Sequence, residues 1–100
     1  ALADYDRYLA LQPLDADGFL GRGRVYAALG DLQHALDDFD RALQLQPEHA
    51  PALYERGAAR LQAGQHEGAV ADLRACIQLT TDPELRRNAE ELLSGIEPLQ

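Results

Sequence analysis

The sequence predicts an all-α protein built from repeated pairs of helices, and three observations carry that prediction. Alanine and leucine supply most of the apolar positions and only six residues are aromatic, a composition that favours helices over sheets. Residues 1–13, ALADYDRYLALQP, return as ALDDFDRALQLQP at residues 35–47, with nine of thirteen positions identical and the two prolines 34 residues apart. Apolar residues also recur three and four apart on both sides of glycine-centred turns at Gly30-Asp31 and Gly64-Gln65, the spacing of one helix face.

Each element follows from this period. Residues 1–13 read as the second helix of a pair whose first helix is absent. A first helix is expected from about Asp17 to Leu29, broken by Gly30. A second runs from about Leu32 to Leu45, with Ala35, Leu36, Phe39, Ala42 and Leu43 on one stripe and Pro47 just past its end. Sliding another 34 residues brings Ala35, Asp38, Gln44 and Leu45 onto Ala69, Asp72, Gln78 and Leu79, and Ala16, Arg22, Gly23 and Gly30 onto Ala50, Arg56, Gly57 and Gly64. Helices over 52–63 and 66–79 follow. Asp82-Pro83-Glu84 then starts a terminal helix, expected over 84–97 and stopped by Pro98, whose apolar side covers the last pair.

The unit 16–49 carries Phe19, Gly23, Tyr26, Ala35, Phe39, Ala42 and Pro47, the bulky, small, aromatic and proline positions of a 34-residue helix-turn-helix motif. The chain thereby resembles the tetratricopeptide repeat family over residues 1–83. The next unit, 50–83, is degenerate: Leu53, Gly57, Arg60, Ala69, Leu73, Cys76 and Thr81 stand at the same offsets, and the proline has moved to Pro83. The resemblance implies a right-handed α-solenoid of stacked antiparallel helix pairs, one domain over residues 1–100: a truncated repeat at 1–13, repeats at 16–49 and 50–83, and a capping helix. Gly23 with Ala35, and Gly57 with Ala69, are expected where paired helices cross, since a longer side chain would force the axes apart.

A net charge of −8 repels a phosphate backbone or an anionic bilayer, so neither nucleic acid nor membrane is an expected partner. No apolar run approaches the roughly 20 residues of a membrane helix. Cys76 is the one cysteine, so no internal disulfide can form and the compartment stays open, with a soluble, cytoplasmic setting favoured. The absence of methionine, position 1 included, suggests a segment cut from a longer polypeptide or a processed chain.

No residue set announces catalysis, a cofactor or a metal. His34, His49 and His66 sit at different offsets with neither a CxxC pair nor a His-Glu-x-x-His helix, and His49 reads as solvated in a turn. Cys76 replaces the motif's alanine on an inward stripe, a small buried apolar position without a promised base. Acidic residues at Asp37, Asp38 and Asp40 and at Glu84, Glu90 and Glu91 decorate exposed helix faces. Gly18, Gly21 and Gly23 follow no strand and precede no Gly-Lys-Ser, so they are not a phosphate loop. Arg22 and Arg56 recur in phase with one another, as do Asp4, Asp38 and Asp72; the expectation is a repeated ion pair at the helix seam, with solvated charges and ligand binding as alternatives.

A protein or peptide partner is the implied ligand. The resemblance assigns a concave groove lined by the first helices, here Asp17, Leu20, Arg24, Ala27 and Ala28, then Tyr54, Ala58, Leu61 and Gln62, with Tyr54 as the aromatic anchor. The alternative is that Tyr54 and Leu20 only pack on neighbouring helices. Some members of the family clamp a terminal carboxylate with lysine and asparagine; Leu20, Arg24 and Glu55 stand at those positions, which argues against that activity here. The remaining readings are a homodimer through the N-terminal helix, whose Leu2, Tyr5, Tyr8, Leu9 and Leu11 lack a first-helix mate, and a docking arm of a larger enzyme.

Overall fold

The computed structural model describes residues 1–96 and contains six helices: α1 (Leu2–Leu11), α2 (Ala16–Ala28), α3 (Leu32–Leu45), α4 (Ala50–Gln62), α5 (His66–Leu79) and α6 (Pro83–Ile96). Among the described residues there is no strand. The fold is an all-α helical repeat. It divides into two compact units, residues 1–47 with α1 to α3 and residues from 48 onward with α4 to α6.

In the first unit α2 packs against both α1 and α3. Its start is fixed by Asp15, whose Oδ1 accepts from the backbone N–H groups of Asp17 (3.0 Å) and Gly18 (3.4 Å), satisfying two donors that have no partner within the helix. Asp31 caps α3 in the same way, accepting from His34 N at 3.2 Å. The turn between them needs Gly30, whose φ of +84° is a conformation that side chains rarely tolerate. Tyr26 stacks on His34 while Arg22 reaches Asp38, so partners lie further from the turn on both helices together and the pair is antiparallel. Its centre is Phe39, fully buried, lying where a Cβ on Gly23 would come within 2.5 Å of its ring. Burying such a ring contributes about 1.5–3 kcal/mol, which the small residue opposite makes possible.

The second unit reuses this plan with smaller contents. Leu73 replaces the phenylalanine against Gly57, Cys76 fills the next inward position, and both are fully buried. Gly64 turns the chain at φ +81°. The start of α4 departs from the sequence expectation: His49, read there as solvated, is only partly exposed and its Nδ1 accepts from Ala52 N at 3.2 Å, so it caps the helix. Just before helix α6, Asp82 Oδ1 accepts from Glu84 N at 3.0 Å, and the helix packs on α5 and α4, burying Ala89. Pro98 and residue 97, expected at the end of this helix, lie outside the described residues. No described helix is long and apolar enough to cross a membrane.

Candidate partner-binding site

A charged seam runs through each helix pair. Arg22 on α2 lays its guanidinium edge on the Asp38 carboxylate of α3, Nε to Oδ2 and Nη2 to Oδ1, both 2.9 Å. The Asp38 side chain is 7% exposed, and its hydrogen bonds hold the Arg22 proton more firmly than in water. In the second unit Arg56 makes the same fork on Asp72, at 2.9 and 2.8 Å, and Arg60 adds a third bond to Asp72 Oδ2 at 3.0 Å. Among the described residues no buried side-chain polar atom is left without a hydrogen-bond partner.

Two members of these clusters do not follow from the repeat phase. Asp4, in register with Asp38 and Asp72, takes no arginine from α2: its side chain is 80% exposed and, among the described residues, meets the Ala1 amino group (3.4 Å) and Arg7 (3.7 Å). Arg22 instead turns its Nη1 to Asp6 at 3.0 Å. The reason is geometric, because Asp6 lies on the side of α1 that α2 reaches and Asp4 does not. Arg60, at an offset where the first unit has Tyr26, also joins its cluster outside the repeat phase, and the signal for it in the sequence is a cation at an inward-facing aromatic position.

The first-helix residues singled out for partner binding fall into two classes. Asp17, Arg24 and Ala28 on α2 are exposed, with Ala27 partly so. Leu20 corrects the expectation: it is buried, 5% exposed, because it continues the stripe of Ala16 and Gly23 rather than the outer face. On α4, Gln62 is exposed and Tyr54, Ala58 and Leu61 are partly covered. Burial raises the Tyr54 hydroxyl pKa, with Glu55, Cys76 and Glu91 adding to the effect, and the residue is partly covered. Burial likewise pushes the Cys76 thiol up, leaving it the poorer nucleophile. Among the described residues no three His, Cys, Asp or Glu side chains are grouped to hold a metal ion.

Helix α1 meets α2 through tyrosines laid over glycines. A Cβ on Gly18 would lie 2.9 Å from the Tyr8 ring, and one on Gly21 2.5 Å from that of Tyr5, so both rings rest directly on the α2 backbone. The Tyr8 hydroxyl donates to Asp15, which raises its own pKa and lowers that of the carboxyl. Leu9 is buried, so α2 takes up part of the apolar face that the sequence left without a mate, while Tyr8 and Leu11 stay exposed. Beside the tyrosines opens a pocket of about 430 Å³, lined by Asp4, Tyr5, Tyr8, Asp15, Asp17 and Gly18.

Helix pairs of 34 residues, each closed on a small residue and a buried aromatic or leucine, define a helical repeat scaffold. Sequence profiles described as tetratricopeptide repeat match residues 16–49 and 39–94, and the chain belongs to that family. No curated protein matches it. Among solved structures, the Yersinia enterocolitica type III secretion chaperone SycD in complex with a peptide of the translocator YopD is similar at 19% identity and TM-score 0.90, covering 97% of this chain and 77% of that one. The first repeat domain of Spaghetti (RPAP3) bound to the HSP90 peptide SRMEEVD is similar at 23% identity and TM-score 0.89, covering 97% and 75%. The Arabidopsis OM64 TPR domain follows at 24% identity and TM-score 0.85, covering 95% and 78%.

Proposed function

We propose that this chain is a non-catalytic interaction module that holds a peptide or helix of a partner protein on the outer faces of its first helices. The observation that carries the reading is the character of those faces. On α2, Asp17, Arg24 and Ala28 give exposed charge of both signs beside small apolar surface; on α4, Tyr54, Ala58 and Leu61 are each partly exposed. A partly exposed aromatic beside apolar neighbours is the type of surface on which interface energy concentrates. Structures of the same fold hold peptides, one from the translocator YopD and one from HSP90, which supports the same use here. The domain organisation that goes with this reading is a repeat at 16–49, a degenerate repeat at 50–83, half a repeat before them and α6 as a cap.

The test is capture from the source lysate by the purified chain, beside an Arg24→Glu, Tyr54→Ala double variant shown by circular dichroism to stay folded. A protein retained by the original and lost by the variant supports the faces as the binding surface and names the partner. Equal capture by both, or none, overturns the assignment. Self-association is the second reading, favoured by the exposed Tyr8 and Leu11 on α1. A mass that rises with concentration in sedimentation would select it.

A further inference from the structure

We propose that His49 is a pH-sensitive latch on α4: its neutral ring caps the helix at about pH 7 and above, and its protonation toward pH 5 opens the cap and loosens the partner-binding face that starts at Tyr54. The inference rests on the reading of that face given above. His49 Nδ1 accepts from the Ala52 backbone N–H at 3.2 Å, and a ring nitrogen can accept only while it carries no proton. Protonation turns this acceptor into a donor aimed at another donor. It also sets a cation at the positive end of the α4 dipole. The capped form therefore excludes the proton, so the stabilisation the cap gives is present at neutral pH and lost as acid supplies one.

The first turn of α4 depends on that ring. Pro51 has no N–H, the Leu53 N–H is taken by the His49 carbonyl at 3.1 Å, and no acidic residue stands in the turn, so the Ala52 N–H is left to the imidazole. Tyr54 follows directly on this turn. The other side-chain caps are carboxylates, Asp15 on α2, Asp31 on α3 and Asp82 before α6, which stay ionised down to about pH 5. Among the described helices, α4 alone has a cap that changes charge between about pH 7 and 5. Arg56 meets Asp72 and Arg60 meets Gly68, so α4 and α5 are antiparallel and His49 lies level with the end of α5. The charged groups at that corner are Glu48 beside it and, from the approach to α6 and its first turn, Asp82, Glu84 and Arg86, whose Nη2 donates to Thr80 O at 2.8 Å. These four keep their charges in that window. Of the other imidazoles, His66 sits at the far end of the pair, after the Gly64 turn, and His34 lies on α3.

The test titrates the isotopically labelled protein from about pH 7.5 to 5, following the His49 ring, the Ala52 amide and the Tyr54 signals together, with hydrogen exchange corrected for intrinsic rate. One shared midpoint is expected, and the protection of the Ala52 amide should fall about fivefold. His49→Asn, which caps without titrating, should hold the Ala52 and Tyr54 signals level, and His66→Gln should leave the midpoint in place. An Ala52 amide that ignores the titration of His49 would overturn the proposal in the native chain alone, and so would a Tyr54 response that persists in His49→Asn. Capture of the lysate partner should weaken at about pH 5.5 in the native chain and not in His49→Asn; equal capture at both pH values would overturn the regulation. Equal capture by the native chain and the Arg24→Glu, Tyr54→Ala variant at about pH 7.5 would instead overturn the reading of the face, a failure that the amide titration tells apart from a failure of the latch.

Discussion

Arg22 and Asp38 stand sixteen residues apart and are joined by two parallel hydrogen bonds of 2.9 Å, and Arg56 and Asp72, also sixteen apart, repeat the arrangement. A forked pair at 7% and 23% side-chain exposure is shielded from water, so removing one partner leaves the other charge poorly solvated. Asp38→Ala should therefore lower the unfolding free energy by about 3 kcal/mol, and Asp72→Ala by more, because Asp72 holds both Arg56 and Arg60. Replacing Arg22 and Asp38 together with leucine should restore most of the loss. Urea denaturation of the single and double variants closes the cycle; additive losses would show that the two side chains are not coupled.

The crossing of α2 and α3 tolerates no added methyl. Gly23→Ala would set a Cβ 2.5 Å from the Phe39 ring, which is fully buried and has nowhere to go. Overpacking of about 1–3 kcal/mol should outweigh the roughly 1 kcal/mol that alanine gains in a helix. At Gly57 the nearest atom is Leu73 Cγ at 3.0 Å, so Gly57→Ala should cost less. Phe39→Leu in the Gly23→Ala background should return part of the stability, read from the denaturation midpoint.

Acid should unfold this chain through its caps. Asp15 is held below its ordinary value mainly by the Tyr8 hydroxyl, and Asp31 mainly by the His34 backbone N–H. For a depressed carboxylate the unfolded chain binds protons first, so the stabilisation is present above the unfolded value near 4 and disappears as pH falls through the lower folded value. Melting temperature should drop from pH 5 toward pH 2. Asp31→Asn keeps a capping side chain but removes its titration, and should flatten that slope; an unchanged slope would remove Asp31 from the account.

Cys76 reports on opening of the second unit. Fully buried and with its thiol pKa raised, it should react with a disulfide reagent at pH 8 at least about a hundredfold more slowly in the native protein than in guanidinium. Equal rates would mean that α5 is not closed over it.

Much of the fold could be read from the sequence, because a 34-residue period joins two kinds of signal. Glycine at the turn and apolar spacing of three and four delimit α3 and α5 at the residues the structure gives, Leu32–Leu45 and His66–Leu79. The starts of α2 and α4 fall one and two residues earlier than expected, since the caps Asp15 and His49 lie before the first apolar residue, and histidine is an unusual cap. The site was less legible. Phase aligns Asp4 with Asp38 and Asp72 but cannot say that Arg22 will turn to Asp6, because that depends on which side of α1 is covered. Leu20 was misplaced for a related reason: a helix only thirteen residues long that packs on both sides leaves little outer face, and one step of 100° moves a side chain from surface to core.

The two turn glycines have nothing within 4 Å of where a side chain would begin, and both hold φ near +80°. What excludes ordinary residues at these corners is handedness rather than space. A mirror-image alanine should be at ease at Gly30 or Gly64 and should narrow the unfolded ensemble, stiffening the hinge of either helix pair without altering a contact. Chemical synthesis in two or three pieces could introduce it, which makes the corners of this protein the places to tune its rigidity independently of whatever it holds.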